Sequence, residues 1–165
     1  MNVSPVQNNT SQSFGMAFKL KGDGARKLAT FLEETNSATN KHVMEDLIAP
    51  INSLKTEVVY DGENVMIDKL SVSERLPVAM PNTNNKDLQY VLDGGEYVYH
   101  VIYNNPQMFL DVAEPHPLMQ KLFNAREIAK DVDAKAAQKA YHTQMTTEKE
   151  ARIAEKAKKL QDLFG

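Results

Sequence analysis

An α+β fold is expected: an antiparallel sheet with an N-terminal strand and two helices packed on one face, plus a long or broken C-terminal helix. Three features of the sequence lead there. Apolar residues alternate at Phe14, Met16, Phe18 and Leu20 and then recur at helical spacing. Runs rich in Val, Ile and Tyr flank Asp61-Gly62 and Asp93-Gly94-Gly95, dipeptide settings suited to tight hairpin turns. Beyond Pro117, apolar residues follow alternating steps of four and three, which is a helical seam. Strands grouped between helices, rather than alternating with them, are the mark of an α+β arrangement.

Taken in order, residues 1–13 form a polar tail expected to be disordered, and residues 14–20 a half-buried strand whose inner face is Phe14, Met16, Phe18 and Leu20. Gly22-Asp23-Gly24 turns into a helix with Ala25, Leu28, Phe31 and Leu32 on one face and Asp23 as its side-chain N-cap. The Asn36 to Asn40 cluster breaks it. A second helix follows, marked by Val43, Leu47, Ile51 and Leu54, which Pro50 kinks or interrupts because it lacks an amide donor. Thr56 to Leu70 reads as one hairpin in which Val58 and Tyr60 share a face with Val65 and Ile67, leaving Glu57, Asn64 and Asp68 on the other. Pro77 and Pro81 confine any strand over residues 75–80 to a sheet edge.

Leu88 to Leu92 fits a strand or a short helix capped by Asn84 or Asn85 equally well. As a strand it pairs with Glu96 to Tyr103 and sets Tyr90, Tyr97, Tyr99 and Tyr103 on one face. A turn at Asn104-Asn105-Pro106-Gln107 adds Met108, Leu110 and Val112 to that face, which makes a buried surface a better account than an exposed aromatic platform. The last helix carries Leu118, Leu122, Ala125, Ala129, Val132 and Ala136. Lys139, Thr143, Thr146 and Glu150 interrupt the seam, and Thr147 with Glu150 forms a capping-box pattern able to start a separate helix. The expected organisation is the tail, a single domain over residues 14–145, and an amphipathic helix over residues 146–165.

Composition narrows the function classes. The 165 residues suit one domain able to bury about 70% of its unfolded surface. Cysteine is absent, so disulfides, thiolate metal sites and cysteine nucleophiles are excluded. A net charge of −3 argues against nucleic acid as a general partner. The start lacks the basic and apolar stretches of a secretory signal, and no later run approaches the ~20 apolar residues of a membrane span, so a cytoplasmic location without membrane association is expected.

Candidate sites are few. Lys19, Lys21, Arg26 and Lys27 surround a Gly-x-Gly turn at a helix start, where unpaired amides attract anions, but the full dinucleotide or phosphate-loop pattern is missing. The register that buries the tyrosines sets His100 opposite Asp111, a pair whose carboxylate could orient the imidazole. An enzyme would need a third reactive group, and no hydrolase, zinc-protease or acidic metal-loop motif accompanies them. Glu114-Pro115-His116-Pro117 is better read as a rigid exit from the sheet than as a metal site. No motif calls for a cofactor.

Ile153, Ala157, Leu160 and Phe164 form a narrow apolar stripe among Glu, Lys and Arg, with little sequence after them to cover it. The favoured expectation is therefore a non-enzymatic interaction or structural module whose C-terminal helix oligomerises or docks a protein partner. Binding of phosphorylated ligands or nucleic acid through residues 19–27 ranks second, and an enzyme using His100 and Asp111 third.

Overall fold

The computed structural model describes residues 16–81, 90–103 and 116–165. Outside them lie the polar residues 1–13, Phe14, Asn84 and Asn85, Leu88, Asn104 to Gln107 where a turn is expected, Met108 to Val112 with Asp111, and Glu114-Pro115. The chain divides into a compact unit ending at Asp131 and a second unit, Val132–Gly165.

Among the described residues the sheet has seven strands, β1 (Phe18–Leu20), β2 (Val58–Tyr60), β3 (Val65–Ile67), β4 (Leu70–Val72), β5 (Val78–Pro81), β6 (Tyr90–Asp93) and β7 (Glu96–Tyr103). The order is β1-β2-β3-β4-β7-β5, with β6 paired to β7. The sheet is mixed, not antiparallel as the sequence suggested. β1 runs parallel to β2, and both β4 and β5 run parallel to β7, while β2/β3, β3/β4 and β6/β7 are antiparallel. Two helices separate β1 from β2, and a helical crossover returns the chain in its original direction. β7 answers β6 through a tight turn, and that reversal leaves it parallel to the earlier strands β4 and β5.

The first corner depends on a close approach. Gly24 opens α1 (Gly24–Glu34), and a Cβ there would strike the carbonyl oxygen of Tyr60 on β2. That same carbonyl accepts from Lys21 N–H at 3.0 Å. Asp23 does not cap α1 through its side chain, contrary to expectation. Its φ of −89° and ψ of 10° depart from the extended geometry that lets a cap side chain reach the next amides. Met16 and Leu20 are exposed and Ala17 is buried, so the assumed inner face of the first strand is also corrected.

The first helix ends at Glu34, before the Asn36 to Asn40 cluster as expected, with Asn40 Nδ2 donating to the Leu32 carbonyl at 3.0 Å; Asn36 also starts the next helix, its Oδ1 accepting from Thr39 N–H at 2.8 Å. Helix α2, over residues 37–52, comprises α-helical Ser37–Lys41, a π-helical stretch His42–Ile48 and α-helical Ala49–Asn52. The widening falls immediately before Pro50, with Ala49 N–H bonded five residues back to Met44. Proline lacks the N–H that would reach the Asp46 carbonyl and crowds that carbonyl sterically. Arg126 supplies the missing donor, its Nη1 lying 2.8 Å from Asp46 O. Val43, Leu47 and Ile51 are fully buried, as their spacing requires.

Val58 pairs with Ile67 and Tyr60 with Val65, and all four are buried on the expected face. Val59 is buried too, so β2 is covered on both sides. The second arm is shorter than its sequence implies. Asp68 and Lys69, with φ of 52° and 67°, make a two-residue turn between Ile67 and Leu70 and convert the expected hairpin into three strands.

Tyr90 to Asp93 is a strand, joined to β7 through Gly94 and Gly95 at φ of 63° and 88°. Tyr90 faces Tyr99, and Tyr90 and Tyr97 meet edge to face at 5.5 Å. Tyr90, Tyr97 and Tyr99 are half-buried, whereas Val98 on the opposite face is buried. β5, which follows Pro77 and closes on Pro81, ends the strand order, as expected from those prolines.

Helix α3 (Pro117–Phe164) is continuous, so Thr147 and Glu150 do not start a separate helix. Leu118, Leu122, Ala125 and Ala129 are buried as the seam predicts, and Met119, Phe123 and Ile128 widen the face. Val132 is half-buried and Ala136 exposed. The core joins residues 118–129 to Leu28 and Phe31 of α1, to α2 and to the inner strand residues.

Gly24→Ala is expected to destabilise the protein by about 1–3 kcal/mol, because the new methyl meets backbone that cannot move independently. Urea unfolding measures this, and an unchanged midpoint would refute the close-approach account.

Candidate interaction surface

The basic cluster at the first helix is interleaved with acids. Lys21, Arg26 and Lys27 are exposed and Lys19 is half-buried. Burial and the carboxylates of Asp61 and Asp23 push the Tyr60 hydroxyl up from its ordinary pKa. Amides of Asn64 and Glu63 donate to Asp61 Oδ1 at 2.7 and 2.8 Å and hold that carboxyl below its usual range, with Lys121 adding to the effect. Gly62, at φ of 100°, passes so close to Asp23 and the Lys27 stem that a Cβ would crowd both. The loop's glycines are thus accounted for by packing two turns together.

His100 shares a face with Val98 and lies against Met80 through Nδ1 and Sδ. Burial and the Arg75 guanidinium lower its pKa, which favours the neutral ring. Its proposed partner Asp111 lies outside the described residues. The remaining histidines are separately engaged. His42 pairs with Asp46 at 2.9 Å, His116 Nδ1 accepts from Leu118 N–H at 3.0 Å, and His142 stacks edge-on against Tyr141. Among the described residues no group of three or more potential ligands could hold a metal ion.

A buried polar network escaped the sequence reading. Asn124 is fully buried, and its Nδ2 donates to the carbonyls of Ser73 and Arg75, each at 2.8 Å. Its Oδ1 accepts from Gln120 Nε2 at 2.8 Å. Ser73 Oγ in turn accepts from the Arg75 backbone and Nε, and Arg75 Nη2 reaches Asp93 at 3.1 Å. Two amides four residues apart within an apolar helical face were the available signal. Beside them, Tyr99 stacks edge-on to Phe123 at 6.3 Å, and Arg126 covers the Phe123 ring at 4.7 Å. These contacts tie α3 to the sheet and to α2, which is structural work.

The second unit presents a different chemistry. Residues 136–165 are exposed throughout. Ile153, Leu160 and Phe164 are 48%, 56% and 82% exposed, and Ala157 completes their stripe. Leu163, missed by the strict seam, is 73% exposed beside them. Lys159 and Glu155 form an exposed i,i+4 pair at 3.4 Å, worth about 0.3–0.5 kcal/mol to a helix. The structure therefore brings the four stripe residues together on one helix and leaves them accessible. Lys139, Thr143, Thr146 and Glu150 continue the same positions with polar side chains. Thr143 Oγ1 already donates to the Lys139 carbonyl at 3.0 Å, so its hydroxyl needs no other partner.

Among the described residues no helix is long and apolar enough to cross a membrane. Comparison of the chain with protein-family models, curated proteins and solved structures found no match.

Asn124→Ala is expected to cost about 2–4 kcal/mol, because it removes the donor of the buried Ser73 carbonyl and the part-buried Arg75 carbonyl, and the acceptor of one Gln120 hydrogen bond. A urea midpoint equal to the parent's would contradict this role. Tyr99 offers a pH test. Burial, aided by Glu127 and Asp131 and opposed by Arg126, raises its hydroxyl to about 12 from 10.0. The neutral phenol is favoured by folding, so its contribution is complete below pH 10 and is lost as pH rises toward 12. Tyr99→Phe should reduce the fall in thermal midpoint across that window; parallel pH profiles for the two proteins would argue against it.

Proposed function

We propose that this chain is a non-enzymatic protein-interaction or structural module whose C-terminal helix self-associates or docks a protein partner. One observation carries the reading: Ile153, Leu160, Leu163 and Phe164 lie exposed on the continuous helix α3. A helical segment standing in water is marginal by itself, because helices in proteins draw most of their stability from packing an apolar face. Covering side chains of this size contributes roughly 1.5–3 kcal/mol each. That gain is large enough to offset much of the entropy lost on association, which is of order 4–15 kcal/mol. The surrounding Glu148, Lys149, Arg152, Glu155, Lys156 and Lys158 keep the helix compatible with water until the stripe is covered.

The full chain carrying Leu160→Asp together with Phe164→Asp tests the reading. Substitution at these exposed positions should leave the unfolding free energy, measured in urea, within about 0.5 kcal/mol of the parent's. Self-association by sedimentation, or capture of partners on the immobilised chain, should be lost. Identical sedimentation and identical capture by both proteins would defeat the proposal.

A further inference from the structure

We infer that the stripe is covered by a second copy of this chain, with the two helices of residues 132–164 running antiparallel. This rests on the reading of the helix as an interaction element and adds the identity and direction of its occupant. Seam positions run from Val132 and Ala136 through Lys139, Thr143, Thr146 and Glu150 to Ile153, Ala157, Leu160 and Phe164. At 1.5 Å per residue the stretch is about 50 Å long, with its apolar seam positions at the two ends, Val132 and Ala136 and then Ile153 to Phe164, and four polar ones between them.

Side-chain size and charge decide the direction. The bulky members, Ile153, Leu160 and Phe164, occupy the C-terminal half, and the smaller Val132, Ala136 and Thr143 the N-terminal half. An in-register parallel pair stacks Phe164 on Phe164 and small residues on small ones, and it sets Lys139 against Lys139 and Glu150 against Glu150. Like charges directly opposed in a seam disfavour that pairing. Reversing one copy about a dyad near residue 148 changes every layer. Phe164 meets Val132, Leu160 meets Ala136 and Ile153 meets Thr143, so each large side chain faces a small one. Lys139 then lies over Ala157, where its stem can cover the methyl while its ammonium reaches water. Glu150 lies opposite Thr146 rather than its own copy.

The flanks fit the same arrangement. On one side, Ala140 faces Ala154 and Thr147 faces itself, uncharged residues that allow close approach. On the other, Lys149 faces its own copy across the dyad at an exposed position, where solvent screens the repulsion.

The absence of cysteine makes the direction directly readable. Ala140 and Ala154 are exposed and off the apolar stripe, so full-length Ala140→Cys and Ala154→Cys should fold as the parent does. Under mild oxidation their mixture should give an interchain disulfide between unlike variants at several-fold the yield of either alone. Ala157→Cys alone should not cross-link, whereas a parallel pair would bring its two copies together. Self-linking of Ala157→Cys overturns the antiparallel direction, and dimers without the Ala140–Ala154 cross-link overturn the register. A parent that sediments as a monomer up to millimolar concentration rejects the second copy as occupant. The interaction reading itself then stands or falls separately, on whether Leu160→Asp with Phe164→Asp abolishes capture of a different protein.

Discussion

The first unit depends on how residues 117–131 of α3 satisfy a buried amide. A helix with a broad apolar face can rotate or slide a turn at modest cost, because hydrophobic contact is not directional. Asn124 removes that freedom. Its two donors require two carbonyls, and those of Ser73 and Arg75 converge at 2.8 Å from its Nδ2. Gln120 completes the amide from within the same helix. An alternative register would bury these groups unpaired, at a cost comparable to a sizeable share of a small protein's net stability. The clamp also shapes the segment between β4 and β5, and with it the Arg75 side chain that pairs with Asp93 beside the β6/β7 turn.

The same helix repairs a second defect. Pro50 deprives α2 of an internal hydrogen bond, and the chain responds by widening into a π-helical stretch and by borrowing a donor from Arg126. Arg126 also lies over Phe123 and pairs with Glu127 at 2.7 Å, so its guanidinium is held in place by packing and charge before it reaches Asp46. A planar group with several fixed donors suits this combination better than a lysine ammonium would. Thus one stretch of helix holds the sheet through Asn124 and α2 through Arg126.

Chemistry differs sharply between the two units. In the first, polar side chains are engaged with nearby backbone: Asp61 with the Glu63 and Asn64 amides, and His116 with the Leu118 amide. In the second, large apolar side chains are exposed on a charged helix. Exposed hydrophobic groups that recur on one face have a physical consequence that scattered ones lack, because a single complementary surface can cover them together.

Much of the organisation was legible where periodicity or turn chemistry leaves few alternatives. Val58, Tyr60, Val65 and Ile67 had to share a face whatever the length of the Asp61-Gly62 loop, and Val43, Leu47 and Ile51 had to line one side of a helix. Leu118 through Ala129 and the stripe from Ile153 to Phe164 followed from the same arithmetic. Sheet direction was not legible, since β1 can join β2 either way until the intervening helices choose a crossover. The turn at Asp68-Lys69 was hidden because neither residue announces a positive φ as glycine does. Asn124 and Arg126 were invisible for a different reason: their partners, Ser73, Arg75 and Asp46, lie 49 to 80 residues away. The sequence by itself determined which faces are apolar, because that depends on spacing along one element. Only the tertiary structure decided which buried polar groups could be tolerated, because a hydrogen bond needs both partners at a set distance, and folding alone brings distant residues there.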